Sequence, residues 1–256
     1  MHNANKITPL LITYNEAPNI ARTLDKLIWA KRIVVIDSFS NDETLEILKK
    51  YPQVALYQRP FQSFADQCNF GLSKIESEWA LSLDADYVLD DMMIEGIQDL
   101  ELDADKTLAY QAQFKYVIFG KPLRGTLYPP RKVLYAKDKA RYENDGHGHK
   151  VKIEGEMGTL KGNILHDDRK SFSHWLASQD RYMKKEIDKL KTTPLSHLGF
   201  NDRIRSLIIP APFVVLFYCL FIKRGIFDGW RGWYYAFQRM VAEMIFSIRL
   251  IESKQN

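Results

Sequence analysis

The first hundred residues alternate short apolar runs with polar, turn-forming stretches. Lys6 to Thr13 is the first run, and it stops at Tyr14-Asn15-Glu16. Pro18 then suits the first turn of a helix that ends near Leu27. Arg32-Ile33-Val34-Val35-Ile36 has the pattern of a strand buried on both faces, and it ends at Asp37. Ser38-Phe39-Ser40-Asn41-Asp42 carries turn and cap chemistry, and Thr44 to Lys50 predicts a helix. Val54 to Gln58, Phe64 to Ile75 and Trp79 to Leu83 continue as strand, helix and strand, the last ending at Asp84. Asp90 or Asp91 can cap a helix that ends near Leu102.

This β-α-β-α-β-α-β order predicts an α/β fold with a mostly parallel central sheet and right-handed crossovers. Ligands on such sheets sit beyond the carboxyl ends of the strands. Those ends carry Tyr14-Asn15-Glu16, Asp37-Ser38 and Asp84-Ala85-Asp86, so three polar sites fall on one edge. No Gly-rich nucleotide-binding fingerprint follows any strand. Beyond Asp105 the pattern changes. Leu108 to Phe119 alternates like a strand, Gly120 to Pro130 is a Pro- and Gly-containing loop, and Val133 to Ala136 and Lys150 to Ile153 are short strands. Asn144-Asp145-Gly146-His147-Gly148-His149 is polar and predicts a loop, and Ser171 to Lys191 a long polar helix.

Composition narrows the class without naming it. At 256 residues, with 46% hydrophobic and 27% charged, the chain is globular rather than disordered or fibrous. Two cysteines, Cys68 and Cys219, make neither a disulfide framework nor a four-thiolate zinc site. The start MHNANKITPL shows no secretory signal pattern. Charge is uneven: from Leu160 onward there are 16 Lys/Arg and 9 Asp/Glu, while the preceding part is slightly acidic. A basic tail on such a body suggests an anionic partner. Nucleic acid is the poorer choice, because no nucleic-acid motif is present and the tail's basic residues are interleaved with an apolar run.

Two carboxylates just past a buried strand repel unless they share a cation. Magnesium or manganese held by Asp84 and Asp86, with diphosphate oxygens completing the shell, suits that arrangement. The plainer reading of the same residues is a pair of turn and cap aspartates, and Asp37 alone is equally a cap.

Taken together, Thr13-Tyr14-Asn15-Glu16, Ile36-Asp37-Ser38 and Asp84-Ala85-Asp86 resemble the family 2 glycosyltransferases of the GT-A fold, most closely the lipopolysaccharide-core β-glucosyltransferases. The resemblance covers Ile7 to Asp90 and extends more loosely through Leu160-Lys161-Gly162-Asn163-Ile164-Leu165-His166. It implies that Thr13, Tyr14, Asn15, Glu16 and Asp37 hold the nucleoside of a nucleotide-sugar donor, here taken as a UDP-sugar. It implies Mn2+ or Mg2+ on Asp84 and Asp86, which also meet the diphosphate, with His166 completing the metal shell. A later carboxylate acts as base in one-step inverting transfer; Asp145 is the first choice, Glu143 the second and Glu154 the third. His147 and His149 are alternatives to His166, and Arg124, Arg131 and Arg169 are candidates for the diphosphate or an anionic acceptor. Two departures stand out: Ser38-Phe39-Ser40 where the family often has Asp-Gly-Ser, and Glu143-Asn144-Asp145 where it has a Glu-Asp pair.

The acceptor implied is lipid-linked or a cell-envelope glycan, as in lipopolysaccharide biosynthesis. A polyprenyl-phosphate sugar synthase and a non-catalytic nucleotide- or carbohydrate-binding module on the same fold are the alternatives; the intact acidic pair argues against the second. The tail bears on the acceptor. Leu207 to Ile222 is sixteen residues without a charge, between Arg203 and Arg205 on one side and Lys223 and Arg224 on the other. A spanning helix needs about 20 apolar residues, so a re-entrant or interfacial segment is favoured over a true span. Trp230, Trp233, Tyr234, Tyr235 and Phe237 follow, interleaved with Arg231 and Arg239. Aromatics with cations mark a membrane interface; a packed helical hairpin is the alternative. The expected division is a catalytic domain over 1–200 and C-terminal membrane-associated helices over 201–256. The expected place is an anionic membrane surface, on the cytoplasmic face of the inner or plasma membrane.

Overall fold

In the computed structural model, which describes residues 3–145 and 148–255, the early apolar runs pair as parallel strands. β1 (Ile7–Thr13), β2 (Ile33–Asp37), β3 (Val54–Gln58) and β4 (Trp79–Asp84) alternate with the helices α1 (Ile20–Asp25), α2 (Thr44–Leu48) and α3 (Phe64–Leu72). β1 lies between β2 and β4, with Thr13 level with Asp37 and Ile12 level with Asp84. That register places the polar strand ends on one edge. Side chains alternate between the two faces. Leu10, Val34 and Ile36 pack with Ala65, Cys68 and Leu72 of α3. Leu11, Ile33 and Val35 pack with Ile20 and Leu24 of α1 and Leu48 of α2.

The remaining elements are β5 (Tyr87–Leu89), α4 (Asp91–Asp99), β6 (Ala109–Ile118), the two-residue β7 (Lys121–Pro122), β8 (Arg131–Ala136), β9 (Arg141–Asp145), β10 (Gly148–Lys152) and β11 (Met157–His166). The sheet order is β3-β2-β1-β4-β8-β6-β11-β5. The expectation of a mostly parallel sheet is corrected here: the sheet is mixed. β8 is antiparallel to both β4 and β6, β11 is parallel to β6, and β5 is antiparallel to β11. Parallel pairing requires a long crossover. No helix lies between β6 and β8, and the chain returns there in the opposite direction.

A second correction concerns Asn144 to His149. These residues were expected in a loop, but Asn144, Asp145 and His149 lie on β9 and β10, which pair as an antiparallel ribbon with Asn144 opposite His149. Gly146 and His147 fall outside the described residues. Two matched hydrogen bonds clamp the ribbon to α3: Asn69 Nδ2 donates to the Tyr142 carbonyl (3.0 Å), and the Tyr142 amide donates to Asn69 Oδ1 (2.8 Å).

β11 carries a bulge. Its register against β6 shifts between Thr159 and Asn163, and Gly162 sits there with φ +86°. A side chain at Gly162 would meet the Met93 backbone nitrogen at 2.4 Å. Asp90 joins the same junction, accepting from the Met93 amide at the start of α4 and from the Asn163 amide. Past the bulge, Asn163 to His166 runs in register with Gln113 to Tyr116.

The chain divides into two compact units, one of residues up to Val117 with Tyr128–Arg169, the other of Ile118–Leu127 with the chain from Lys170. The second unit contains α5 (Phe172–Thr192), α6 (Phe200–Ser206), α7 (Pro210–Phe217) and α8 (Trp230–Gln255). Met183 and Ile187 of α5, four residues apart, pack on Ala242, Phe246 and Leu250 of α8 at the same spacing. Arg205 grips the Glu243 carboxylate with Nε and Nη2, and Arg249 pairs with Asp180 at 2.8 Å. The uncharged run from Leu207 becomes the eight-residue α7 and a wide five-residue turn, Tyr218–Ile222. Among the described residues, no helix is long and apolar enough to cross a membrane.

After that turn the chain bends sharply into α8, and two glycine backbones meet. A Cβ on Gly232 would lie 1.8 Å from the Gly225 carbonyl oxygen. Helix propensity alone favours Gly232→Ala by about 1 kcal/mol. Overpacking against rigid backbone costs about 1–3 kcal/mol. Gly232→Ala should therefore lower the thermal midpoint by several degrees, as followed by circular dichroism; a raised midpoint would show that the backbones can part.

Candidate active site

The first two strand ends interlock. The Asn15 amide donates to Ser40 Oγ (2.8 Å), and the Asn41 amide donates back to Asn15 Oδ1 (2.9 Å). The Glu16 amide donates to Thr44 Oγ1 (2.8 Å), and Glu16 Oε2 accepts from Asn19 Nδ2 (2.8 Å). Thr13 accepts the Ser38 amide through its carbonyl, while its buried Oγ1 has no partner. Asp37 is fully buried. Its carboxylate accepts from the Ser40 amide (2.9 Å), the Ser40 hydroxyl (2.5 Å) and Gln58 Nε2 (2.9 Å). Tyr14 and Phe39 stand exposed on the two loops, and Phe39 holds φ +60°. A bulky residue in that region is strained by about 1–2 kcal/mol, which explains why a glycine suits this place in the Asp-Gly-Ser pattern.

At the end of β4 stand Asp84 and Asp86. His166, at the end of β11, places Nε2 2.9 Å from Asp86 Oδ2. Its other ring nitrogen, Nδ1, is buried without a partner. The imidazole lies against Tyr116 (ring centroids 4.4 Å), Tyr87 (5.3 Å) and Tyr128 (5.6 Å), and the Tyr87 and Tyr128 hydroxyls share a hydrogen bond. Burial opposes charge on this imidazole, but Tyr116 and the Asp86 carboxylate outweigh it and His166 is pushed up to about 10, so a cation held there would displace its proton. Arg131 lies 4.3 Å from the Tyr128 ring centroid, close enough for Asp84 to act on its charge. The other two arginines are engaged: Arg169 with Asp167, Arg124 with Asp228.

Two carboxylates and an imidazole form a donor set that suits manganese or magnesium. The orphaned Nδ1 of His166 is a buried polar atom that protein groups alone leave unfilled. Among the described residues, however, no three His, Cys, Asp or Glu side chains are grouped to hold a metal ion. The residues therefore fit a cation that draws the rest of its shell from diphosphate oxygens, not a closed protein cage.

The ribbon faces this edge with one side. Tyr142 is buried and donates to Ser82 Oγ on β4 (2.8 Å), and His149 packs on Tyr142 and Phe64. Burial, and then Arg131, lower the His149 pKa against the opposing pull of Asp84. By strand alternation Glu143 and Asp145 project from the opposite side, with Glu143 3.5 Å from Lys152 Nζ. Glu154 lies exposed just past β10.

The glycosyl transferase family 2 model matches residues 10–151, more than half of the chain. The chain belongs to this family. The glycosyltransferase is 23% identical to the lipopolysaccharide core biosynthesis glycosyltransferase LpsC of Rhizobium meliloti (strain 1021), over 98% of its own length and 95% of LpsC. It is 28% identical to an uncharacterized glycosyltransferase of Rickettsia prowazekii (strain Madrid E), of which it spans about half (49%). Its fold is that of the mannosyltransferase PcManGT from Pyrobaculum calidifontis, solved with GDP-Man and Mn2+ (TM-score 0.53, 12% identity, 97% of this chain and 88% of that one). S. aureus TarS with UDP-GlcNAc is similar (TM-score 0.50, 15% identity, 98% and 92%).

Within this glycosyltransferase, sequence reasoning passed over Tyr87, Tyr116, Tyr128 and Gln67. Their signal was weak: tyrosines on alternating strands look like core. Gln67 is fully buried, donates to Ser38 Oγ (2.8 Å) and keeps Oε1 without a partner.

Proposed function

We propose that the chain is an inverting, divalent-metal-dependent glycosyltransferase that moves a sugar from a nucleotide-sugar donor to a lipid-linked glycan of the lipopolysaccharide-core kind. The observation that carries this reading is the Asp84–Asp86 pair at the end of β4, on the same sheet edge as the Thr13–Asp37 register pair, with a histidine already against Asp86. LpsC, matched over nearly its whole length, supports the acceptor class. The structural neighbours solved with GDP-Man and Mn2+, and with UDP-GlcNAc, support the donor class and the cation.

The interlocked loops at Thr13 to Glu16 and Asp37 to Ser40 bind the nucleoside. The exposed rings of Tyr14 and Phe39 are the groups available to it, above a floor that the hydrogen bonds of buried Asp37 hold in place. Asp84 and Asp86, with His166, would hold the cation, which when bound neutralises charge on the departing diphosphate. Arg131 stands where it can add a fixed positive charge. In the sequence-based assignment Asp145 takes the proton from the acceptor hydroxyl as that oxygen bonds to the anomeric carbon and the nucleoside diphosphate leaves with the electron pair, and for this it must serve an acceptor that enters on the ribbon face opposite Tyr142 and His149. A second reading of the base is His149, because it lies on the ribbon side of Tyr142, the side held to Ser82 of β4.

A panel of UDP- and GDP-sugars, assayed for nucleotide release with Mn2+, with Mg2+ and with EDTA, tests the reading. One donor should be turned over with a divalent cation and not with EDTA. Turnover unchanged in EDTA would remove the metal assignment, and absence of binding to any nucleotide sugar would leave a non-catalytic module. Acceptor profiling with polyprenyl phosphate and with lipopolysaccharide cores separates the two lipid-linked classes.

A further inference from the structure

The second unit leaves several large apolar side chains in the open. Phe213, Phe217, Phe221, Phe227, Trp230 and Phe237 are each 49–66% exposed. Phe213, Phe217 and Phe221 recur every fourth residue and share one side of α7 and its turn. Trp230, Trp233 and Phe237 recur at the spacing of one face of α8.

Cations accompany the rings. The Lys223 ammonium lies 5.7 Å from the Tyr218 ring centroid, Arg124 lies 5.9 Å from Phe227, and Arg231 lies 4.4 Å from Trp230. Between Leu207 and Trp230 the single carboxylate is Asp228, whose side chain is 10% exposed and faces Arg124 at 3.4 Å. The outward charge at the tip is therefore positive. α7 and its turn reach only about 20 Å at 1.5 Å per residue, short of the roughly 30 Å of a bilayer core.

We propose that this face is a membrane-docking surface for an anionic bilayer. The phenyl groups of Phe217, Phe221 and Phe227 and the indole of Trp230 enter the acyl boundary of one leaflet. Lys223, Arg224 and Arg231 lie at the phosphate level. Charge complementarity selects lipid over a second copy of the chain: a symmetric pairing through this tip would bring Lys223 and Arg224 against like charge. The surface is defined by unit 2 alone and does not depend on glycosyl transfer, so it can fail while the catalytic reading stands.

The test is flotation of the full-length protein with vesicles of phosphatidylethanolamine and phosphatidylglycerol, and with neutral phosphatidylcholine vesicles, without donor. The wild type should float with the anionic vesicles and show a blue-shifted tryptophan emission. Phe221→Ser with Phe227→Ser should lower the partition coefficient about tenfold or more, with an unchanged circular dichroism spectrum. Lys223→Glu with Arg224→Glu should reduce binding to anionic vesicles and leave the small neutral-vesicle binding as it was. Failure to float with anionic vesicles overturns the proposal. So does binding that the serine pair leaves unaltered, and so does a concentration-dependent dimer that the serine pair dissociates while the vesicles stay empty.

Discussion

Asp86→Ala should abolish sugar transfer, by about 10²–10³-fold or more, and leave the fold intact with a lowered thermal midpoint, since the buried His166 loses its partner. The carboxylate stands past the end of β4 and touches His166 rather than the apolar core. Its loss would remove one oxygen of the proposed cation site and release the imidazole. Asp90→Ala is the useful contrast. Asp90 is also an aspartate near that strand end, but it caps α4 and holds Asn163, so its removal should cost about 1 kcal/mol or more of stability and little turnover once folded. If Asp86→Ala keeps more than a tenth of wild-type turnover with the same response to EDTA and Mn2+, the acidic pair is structural.

Asp145→Asn should leave donor binding near normal and lower turnover by about 10²–10⁴-fold, the loss of a positioned base. The matched measurements are donor affinity by titration and single-turnover rates, run beside Glu143→Gln and His149→Gln. Asp145 and His149 sit on opposite sides of one ribbon, so the side on which substitution slows chemistry tells which side meets the acceptor. Full activity in Asp145→Asn with a slow His149→Gln would move the base to the imidazole.

The early sheet could be read from the chain because its information is local. β2 is buried at every position, so its apolar run is continuous, and Ser63 and Asp90 supply the side-chain caps that α3 and α4 use. The place of β8 is a different kind of fact. Leu134 and Tyr135 look equally apolar whichever strand they pair with, and only the tertiary structure sets them between β4 and β6. The ribbon hid for the opposite reason. Glu143, Asn144 and Asp145 are all exposed, so β9 carries almost no alternation beyond Tyr142. At the site, the acidic pair and His166 were visible as residue types past apolar runs. That three hydrogen bonds already occupy Asp37, or that Tyr116 stacks on His166, depends on side chains far apart in sequence.

The late insertion of β8 between β4 and β6 also bears on synthesis. When β1 to β4 have left the ribosome, β4 has β1 on one side and nothing on the other until residues 131–136 appear, some fifty residues later. At about 5–20 residues per second that edge stands open for seconds, with Leu81 and Leu83 beside it and an open edge available to any other nascent strand. The half-made chain is thus most exposed to misassembly just after the acidic motif has been translated. A chaperone or a slow codon stretch would have its largest effect on yield in that interval.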